Sequence, residues 1–485
     1  MARQALLMAA LLLMGALAQA APLVVGSKRF TESYILGEIV TQTLVAAGQP
    51  AVHQQGLGNT GILEQALASG AVDVYPEYTG TIVRELLKRD GNPTLDELNG
   101  WLAPRGLKAA VPLGFNNTYA LAMPEALASR LGVQRISDLA AQPALRLGLS
   151  HEFLVRSDGW PALKQAYALP TTPGSGLDHG LAYDALAAGQ VDVIDVYSTD
   201  AQIGRQHLRV LQDDRGFFPK YEAVLLMRSG VDATPLLSLA GRIDESRMIA
   251  LNAQAELDKQ SFAEVARQFV AGRRDGATKP QGFAARLFAP DLARLTAQHL
   301  GLVFGSLAMA LLAGVPLGVL AWRRPRWAGL LLGAVGVLQT IPSLALLAFL
   351  IALVGAIGYV PALLALFIYA LLPIVRNTHA GLVGVPAGLT MAACALGLTA
   401  RQTLWSVQLP LARPTLWAGV KTAAVINVGT ATVAAFIGAG GFGERIVAGL
   451  AVNDSTAMLA GALPAAALAL LVQGLFDGIE RLWRR

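Results

Sequence analysis

The sequence predicts two units of different class: an α/β unit of two lobes, followed by an all-α unit that spans a membrane. Three observations predict this. Charged and apolar stretches alternate over residues 22–290, as in a globular protein, whereas long apolar runs dominate from His299 onward. A stretch in the first half occurs twice, and each copy reads as helix, glycine, strand. The second half holds several runs of about 20 mainly apolar residues, the length a helix needs to cross a bilayer. The whole chain of 485 residues is 54% hydrophobic and only 15% charged, which fits that mixture and not a fully soluble protein.

The N-terminus reads as an export signal. Arg3 precedes the apolar core "ALLMAALLLMGALA", and "AQA" at Ala18–Ala20 matches a small-x-small cleavage site. Residues 1–21 are expected to be a signal peptide or signal anchor, which exports the half that follows. The net charge of +5 raises nucleic acid as a partner. The arginines cluster beside the apolar runs, however, and no basic stripe is interleaved with aromatics, so no nucleic-acid partner is expected. Cys394 is the only cysteine, which excludes a disulfide within the chain and a cysteine-rich metal site.

The repeat comes next. "ALASGAVDVYPEYTG" begins at Ala66 and "ALAAGQVDVIDVYST" at Ala185, and the two align without a gap so that Tyr78 falls on Tyr197. In each, an Ala/Leu-rich helix ends at a glycine, Gly70 or Gly189. A short strand, VDV, follows, and the tyrosine comes just past its end. In open α/β sheets, ligands bind outside the carboxyl ends of strands. Two such lobes face to face would put Tyr78 and Tyr197 on opposite walls of one cleft. A plain βα repeat with two core tyrosines is the alternative. Lys28 stands at the end of the first expected strand. Tyr119, in "GFNNTYALAM", and Tyr221, in "DDRGFFPKYEAVLLM", stand at the two crossovers between lobes. Tyrosine faces attract a cation through the ring quadrupole. Lys28 and Arg156 offer charge for an anion, and an arginine fork matches a carboxylate.

The second half offers five candidate spans by that length criterion, at 299–321, 328–353, 358–376, 417–439 and 457–478. With the first half outside, Arg323, Arg324 and Arg326 fall in an inner loop. So do Arg376, Arg401, Arg413 and Lys421 after the third span, and "RLWRR" at the C-terminus. Basic residues on the inner side agree with that orientation. The connection over 388–419 is amphipathic, with a central Gly397, and reads as helix, glycine turn, helix ending at Pro410. No lysine follows a glycine, so no phosphate-binding Walker loop is present. "GAGGFG" at Gly438–Gly443 follows a span and not a strand, so close packing or an outer gate is expected there instead of a dinucleotide site. The histidines form no HExxH, and His151 and His179 are read as surface or capping residues. No catalysis, cofactor or metal is expected.

At these residues the first half closely resembles the glycine betaine/choline class of ABC substrate-binding proteins. The matching strings are "GSKRFTESYILGEI", "DVYPEYTGT", "NNTYALAM", "HEFLVRSDGWPAL", "DVIDVYSTDAQI" and "DDRGFFPKY". The resemblance implies a two-lobed periplasmic-binding-protein fold, type II-like, over 22–275, with lobe one at 22–116 and 218–275 and lobe two at 117–217. It implies that Tyr78, Tyr119, Tyr197 and Tyr221 cage a trimethylammonium, and that Lys28, Thr81 and Arg156 meet a ligand carboxylate. Asn117 stands where some relatives carry an acid, so it is a further ligand-binding candidate that leaves the cage one formal charge short. From His299 onward the chain resembles ABC importer permeases, whose coupling knob reads Glu-Ala-Ala, then Gly, then Leu-Pro. Ala392, Ala393, Gly397, Leu409 and Pro410 match, and Met391 replaces the Glu. In that family the knob docks on a cytoplasmic ABC ATPase and permeases work in pairs.

The expected protein is therefore a fused binding and permease subunit of an importer for quaternary ammonium compounds, glycine betaine or a related betaine. It would be a multi-pass inner-membrane homodimer served by a separate ATPase, its binding domain on the periplasmic or extracellular side. A linker is expected over 276–298 and the permease domain over 299–485. The alternatives are an importer of choline, carnitine or ergothioneine, or a betaine receptor that transports nothing.

Overall fold

The computed structural model describes residues 21–272 and 282–484 except Ser175 and Asn453. The expected signal up to Ala20 and most of the connector after Ala271 lie outside the described residues.

Among the described residues, nine strands make two sheets: β1 (Leu23–Gly26), β2 (Ala51–Gln54), β3 (Val74–Tyr78), β4 (Leu107–Ala110), β5 (Tyr119–Pro124), β6 (Leu147–Gly148), β7 (Val193–Tyr197), β8 (Leu208–Val210) and β9 (Ala223–Arg228). The first sheet runs β2-β1-β3-β9-β4 and the second β6-β7-β5-β8. Each is mixed. β3 lies parallel to β1 but antiparallel to β9, and β7 lies parallel to β6 but antiparallel to β5. Pro76 can sit inside β3 because β1 pairs with that strand only at Val25–Val74 and asks nothing of it beyond.

The repeat differs in register from the expectation. Asp73 and Asp192 stand ahead of their strands. Each carboxylate replaces a missing ladder partner, accepting from Val24 N at 2.9 Å and from Arg146 N at 2.8 Å. The strands therefore start two residues later, and Tyr78 and Tyr197 are their last residues instead of the residues beyond them. Gly70 and Gly189 end the preceding helices, α2 (Thr60–Ser69) and α3 (His179–Ala187), with φ of +77° and +65°. Helix α1 (Thr31–Ala46) buries almost its whole length under the first sheet, with α4 (Glu245–Glu256) beside it. Two extended crossovers join the lobes, paired where Asn117 N donates to Tyr221 O at 3.0 Å.

The expected linker over 276–298 is not a loose tether in its described part. A short helix forms at Phe283–Leu287, and α5 (Leu292–Arg323) begins well before the expected span. Then come α6 (Pro325–Thr340), α7 (Ser343–Val354), α8 (Tyr359–Val383), α9 (Ala387–Ala395), α10 (Leu409–Thr430), α11 (Gly443–Ala451) and α12 (Ser455–Arg484). Length and composition single out fewer helices than the five expected spans. Among the described residues, α5, α8 and α12 are long and apolar enough to cross a membrane. The second expected span is α6 and α7, bent by 101° at the break before Ser343, and counts as a fourth only if the pair is one span. Pro342 at the bend, lacking an N–H and restricting Ile341, explains the break. The fourth expected span falls on α10, which carries Arg413 and Lys421 and ends at Thr430, not at residue 439. Helix packing is close. A Cβ on Gly318 of α5 would lie 2.5 Å from Thr378 of α8, and one on Gly419 of α10 2.6 Å from Asn377. Small residues that admit such approaches are how membrane helices associate.

The knob also differs. Gly397 turns the chain after α9 at φ +79°, but the second helix does not end at Pro410. The chain continues helically from Ala400 through a widened turn at Leu404–Gln408 straight into α10. Pro410 comes just after that widened turn, an interruption of the helical ladder of the kind proline produces inside a helix.

Cys394 is exposed on α9. In the predicted orientation it faces the cytoplasm. A membrane-impermeant maleimide should label it in inside-out vesicles and leave it untouched in spheroplasts. Labelling of spheroplasts would reverse the orientation.

Candidate binding site

The crossovers and strand ends gather aromatic side chains between the lobes. From lobe one, Tyr78 ends β3 and Phe30 precedes α1, their rings 6.4 Å apart. Phe30 then lies 5.3 Å from Tyr197 at the end of β7, and Tyr197 lies 5.0 Å from Tyr119 at the start of β5. Tyr221 approaches Tyr119 edge-on at 6.0 Å. The Arg156 guanidinium sits 5.2 Å over Tyr119 and reaches Thr81 Oγ1 at 3.4 Å. Thr81 follows Tyr78 by one turn, so these contacts close into a ring. The structure thus brings all four predicted tyrosines together with Lys28, Thr81 and Arg156. Phe30, which the sequence reading did not single out, joins the two lobes of that ring.

The cations of the site are not bare. Lys28 Nζ bonds Glu77 Oε1 at 2.6 Å and stands 5.2 Å from the Tyr78 ring centre. Arg156 grips Asp158 with Nε and Nη2, both at 2.7 Å, and Tyr221 OH donates to the same carboxylate at 2.6 Å. All four charged groups are buried. Burying unpaired charges would cost several kcal/mol each, so the acids are part of the site.

Glu32 was also missed. Its buried carboxylate accepts from Tyr78 OH at 2.5 Å, Asn117 Nδ2 at 2.9 Å, Asn252 Nδ2 at 3.2 Å and Thr199 Oγ1. Burial raises its pKa, and those four hydrogen bonds, which favour the charged form, only partly offset the rise. Asn117 therefore lies against an acid, so the expected lack of a carboxylate beside the cage needs correcting. The expectation reads one position at a time, whereas Glu32 comes from a distant segment.

His179 is not the surface residue expected. Its ring packs on Tyr197 at 4.3 Å and Nε2 meets Asp200 Oδ2 at 2.8 Å. Asp200 also accepts from Tyr197 N at 2.9 Å and Tyr183 OH at 2.7 Å. Burial disfavours the imidazolium, but Asp200 outweighs it and holds the pKa up at about 9. A cavity of about 290 Å³ opens beside this group, lined by Phe30, Glu32, His179, Tyr197 and Asn252, and by Val452 of the membrane half. Of the four predicted tyrosines, only Tyr197 lines it.

The predicted coupling residues lie far from this ring. Ala392 and Ala393 are on α9, Gly397 is in the turn, and Leu409 and Pro410 open α10. Met391 and Leu396 beside them are 67% and 81% exposed, an apolar surface at the end of the bundle.

Residues 21–272 match the family described as the substrate binding domain of ABC-type glycine betaine transport systems. Residues 281–485 match the family described as the inner membrane component of binding-protein-dependent transport systems. The chain belongs to both families. It is an ABC-importer binding protein fused to its permease, not an enzyme. The fusion is 43% identical over 193 residues to the osmoprotectant import permease protein OsmW of Salmonella typhimurium, covering 39% of this chain and 90% of that one. It is 36% identical over 276 residues to the glycine-betaine-binding protein of Pseudomonas aeruginosa, covering 52% of this chain and 88% of that one. It is 34% identical over 263 residues to the ergothioneine transport permease/ergothioneine binding protein EgtU of Helicobacter pylori, covering 51% of this chain and 47% of that one. The permease half of the fusion is an inner-membrane component, and its binding half is periplasmic.

Two expectations follow. Glu32→Ala leaves four donors without their acceptor. At about 1 kcal/mol or more per buried donor, it should cost the binding half roughly 3 kcal/mol or more, read by thermal unfolding. The second concerns pH. Glu256, raised by burial and by Asp200 to about 7, Glu32 and His179 all have folded pKa values above their ordinary ones. The carboxyl contributions are complete below the ordinary 4.5 and lost as pH rises, Glu256's through about 7; that of His179 is complete below 6.5 and lost through about 9. Hydrogen exchange at the Tyr197 amide, corrected for its intrinsic rate, should lose protection across that range. His179→Gln should remove the alkaline part of the loss.

Proposed function

We propose that the fusion imports a betaine, a quaternary ammonium that also carries a carboxylate. The observation that supports this most is the run of neighbouring rings from Tyr78 through Phe30, Tyr197 and Tyr119 to Tyr221, with Lys28 and Arg156 against it. Aromatic faces suit a trimethylammonium, which has no N–H to satisfy and is bound through the ring quadrupole. Lys28 and Arg156 then meet the carboxylate, with Thr81 as a hydroxyl donor. Relatives named for glycine betaine and for osmoprotectant import agree with this ligand class.

The fusion carries the binding site and the pathway but no ATP site of its own. A separate cytoplasmic ATPase is proposed to dock on the knob formed by Ala392, Ala393, Gly397, Leu409 and Pro410. Two copies of the chain are proposed to form the pore, as permeases of this kind pair. Ligand closes the lobes, the closed half presents it to the pore, and ATP hydrolysis resets the cycle.

One observation favours a second ligand. Glu77 and Asp158 already neutralise Lys28 and Arg156, and Glu32 adds a third acid. That balance also suits choline, which has no carboxylate.

Titration calorimetry decides between them. Charge-assisted hydrogen bonds to a desolvated carboxylate contribute about 1.5–3 kcal/mol, and 1.4 kcal/mol is tenfold. Glycine betaine should therefore bind about tenfold tighter than choline, or more. Arg156→Ala should erase most of that preference, and Tyr197→Ala should weaken both ligands alike. Choline binding as tightly as every betaine tested would overturn the carboxylate role of Lys28 and Arg156.

A further inference from the structure

The ligand-binding half meets the membrane half at several points, and one continuous piece, residues 433–452, is touched by both lobes. The piece consists of a short helix, Val433–Ile437, a glycine loop, Gly438–Phe442, and α11. Lobe one meets its start. The Arg29 guanidinium lies 5.0 Å over the ring of Phe436. Leu57 packs so closely on Gly438 that a Cβ there would stand 2.1 Å from Leu57 Cδ2. Lobe two meets its end, where a Cβ on Gly180, in the first turn of α3, would lie 3.3 Å from the Leu450 carbonyl. Lys259 Nζ bonds Val452 O at 2.8 Å, and Val452 belongs to the same apolar core as the lobes.

The same piece is bound to the first membrane helix. Gly441 N donates to Gln298 Oε1 at 3.2 Å, and Phe442 packs on His299 at 4.8 Å. Glu444 pairs with Arg294 at 2.9 Å and Arg445 with Asp291 at 2.6 Å. Lobe one is held at both ends of the piece, through Arg29 and Lys259, and lobe two at its end alone, so a change in the angle between the lobes shifts lobe two against that end.

Arg29 has a special place in this contact. It is flanked in the chain by Lys28 and Phe30, both members of the aromatic ring described above. Its own side chain lies over Phe436, at the edge of the cavity beside that ring. A shift of Lys28 or Phe30 on ligand entry is carried to Arg29 by the backbone, with no flexible joint between.

We propose that residues 433–452 are a strap through which the binding half signals its state to the pore, and that Arg29 on Phe436 carries ligand occupancy to it. Arg29 is a positioning residue for transport, not a ligand contact. The proposal rests on the reading of the chain as an importer, but not on which ammonium compound it takes.

The test uses the full chain with its ATPase in proteoliposomes. Glycine betaine, choline and ergothioneine are first titrated on the wild-type chain, and the tightest binder becomes the probe. Arg29→Gln and Phe436→Leu should each keep the probe's Kd within about twofold, as independent distant sites do. Each should lower probe-stimulated ATP hydrolysis about tenfold or more, the scale of a coupling between sites. The double variant should be no worse than either single one, and Arg29→Lys, which keeps a cation over the ring, should retain part of the stimulation. Normal stimulation in either single variant overturns the proposal. So does loss of probe binding in Arg29→Gln, which would make Arg29 a ligand contact. If neither glycine betaine nor ergothioneine binds, the betaine reading fails by itself, and choline serves as the probe. The contact is also read without ligand. With Cys394→Ser as background, Arg29→Cys and Phe436→Cys should be joined within one chain by a short bifunctional thiol reagent. Failure to cross-link overturns the strap contact.

Discussion

Glu32 accepts four hydrogen bonds from side chains that belong to four separate segments. Tyr78 comes from the end of a lobe-one strand, Asn117 from the crossover, Thr199 from lobe two and Asn252 from a C-terminal helix. A carboxylate is the only side chain with acceptor capacity for all four. Its removal from water is costly, and the four donors make that burial tolerable. They also fix where Tyr78 stands relative to lobe two. The shape of the aromatic ring depends on that relation, because Phe30 and Tyr78 come from one lobe and Tyr119 and Tyr197 from the other.

The same logic runs outward through the site. Lys28 is held by Glu77, Arg156 by Asp158, and His179 by Asp200. Each pair keeps a cation buried beside an aromatic face without leaving it alone. The outcome is a site with little net charge and many oriented dipoles. Such a site selects by geometry, and the proposed zwitterion would meet it with both ends.

The fusion gives the two halves a contact that separate subunits would have to find by diffusion. Described residues on both sides of the connector pack against each other. Arg286, just beyond it, pairs with Asp454 and bonds the Lys259 carbonyl at 2.6 Å. The binding half therefore sits on the outer mouth of the helical bundle with its cavity against Val452. A covalent link of this kind raises the effective concentration of one half at the other, so the contact itself can remain small and reversible.

Much of this was legible in the sequence. The repeat from Ala66 and from Ala185 showed two lobes, because a helix–glycine–strand order repeated at one register has few other solutions. The tyrosines at strand ends and crossovers do come together between the lobes, because chain topology alone decides where strand ends lie. The apolar runs showed a membrane half, since backbone groups in lipid must be satisfied within helices. The sequence could not show how the apolar runs divide into helices, because Pro342 bends one of them by 101° and Lys421 of α10 is held by Asp477 of α12. Nor could it show Glu32, Phe30, Glu77, Asp158 or His179 as members of the site. Each is ordinary in its own segment, and only the fold brings it within bonding distance of a partner far away in the chain. Local periodicity and turn chemistry fix elements and their order. The pairing of buried charges is decided by tertiary structure, because it depends on which distant donors share a carboxylate once water is gone.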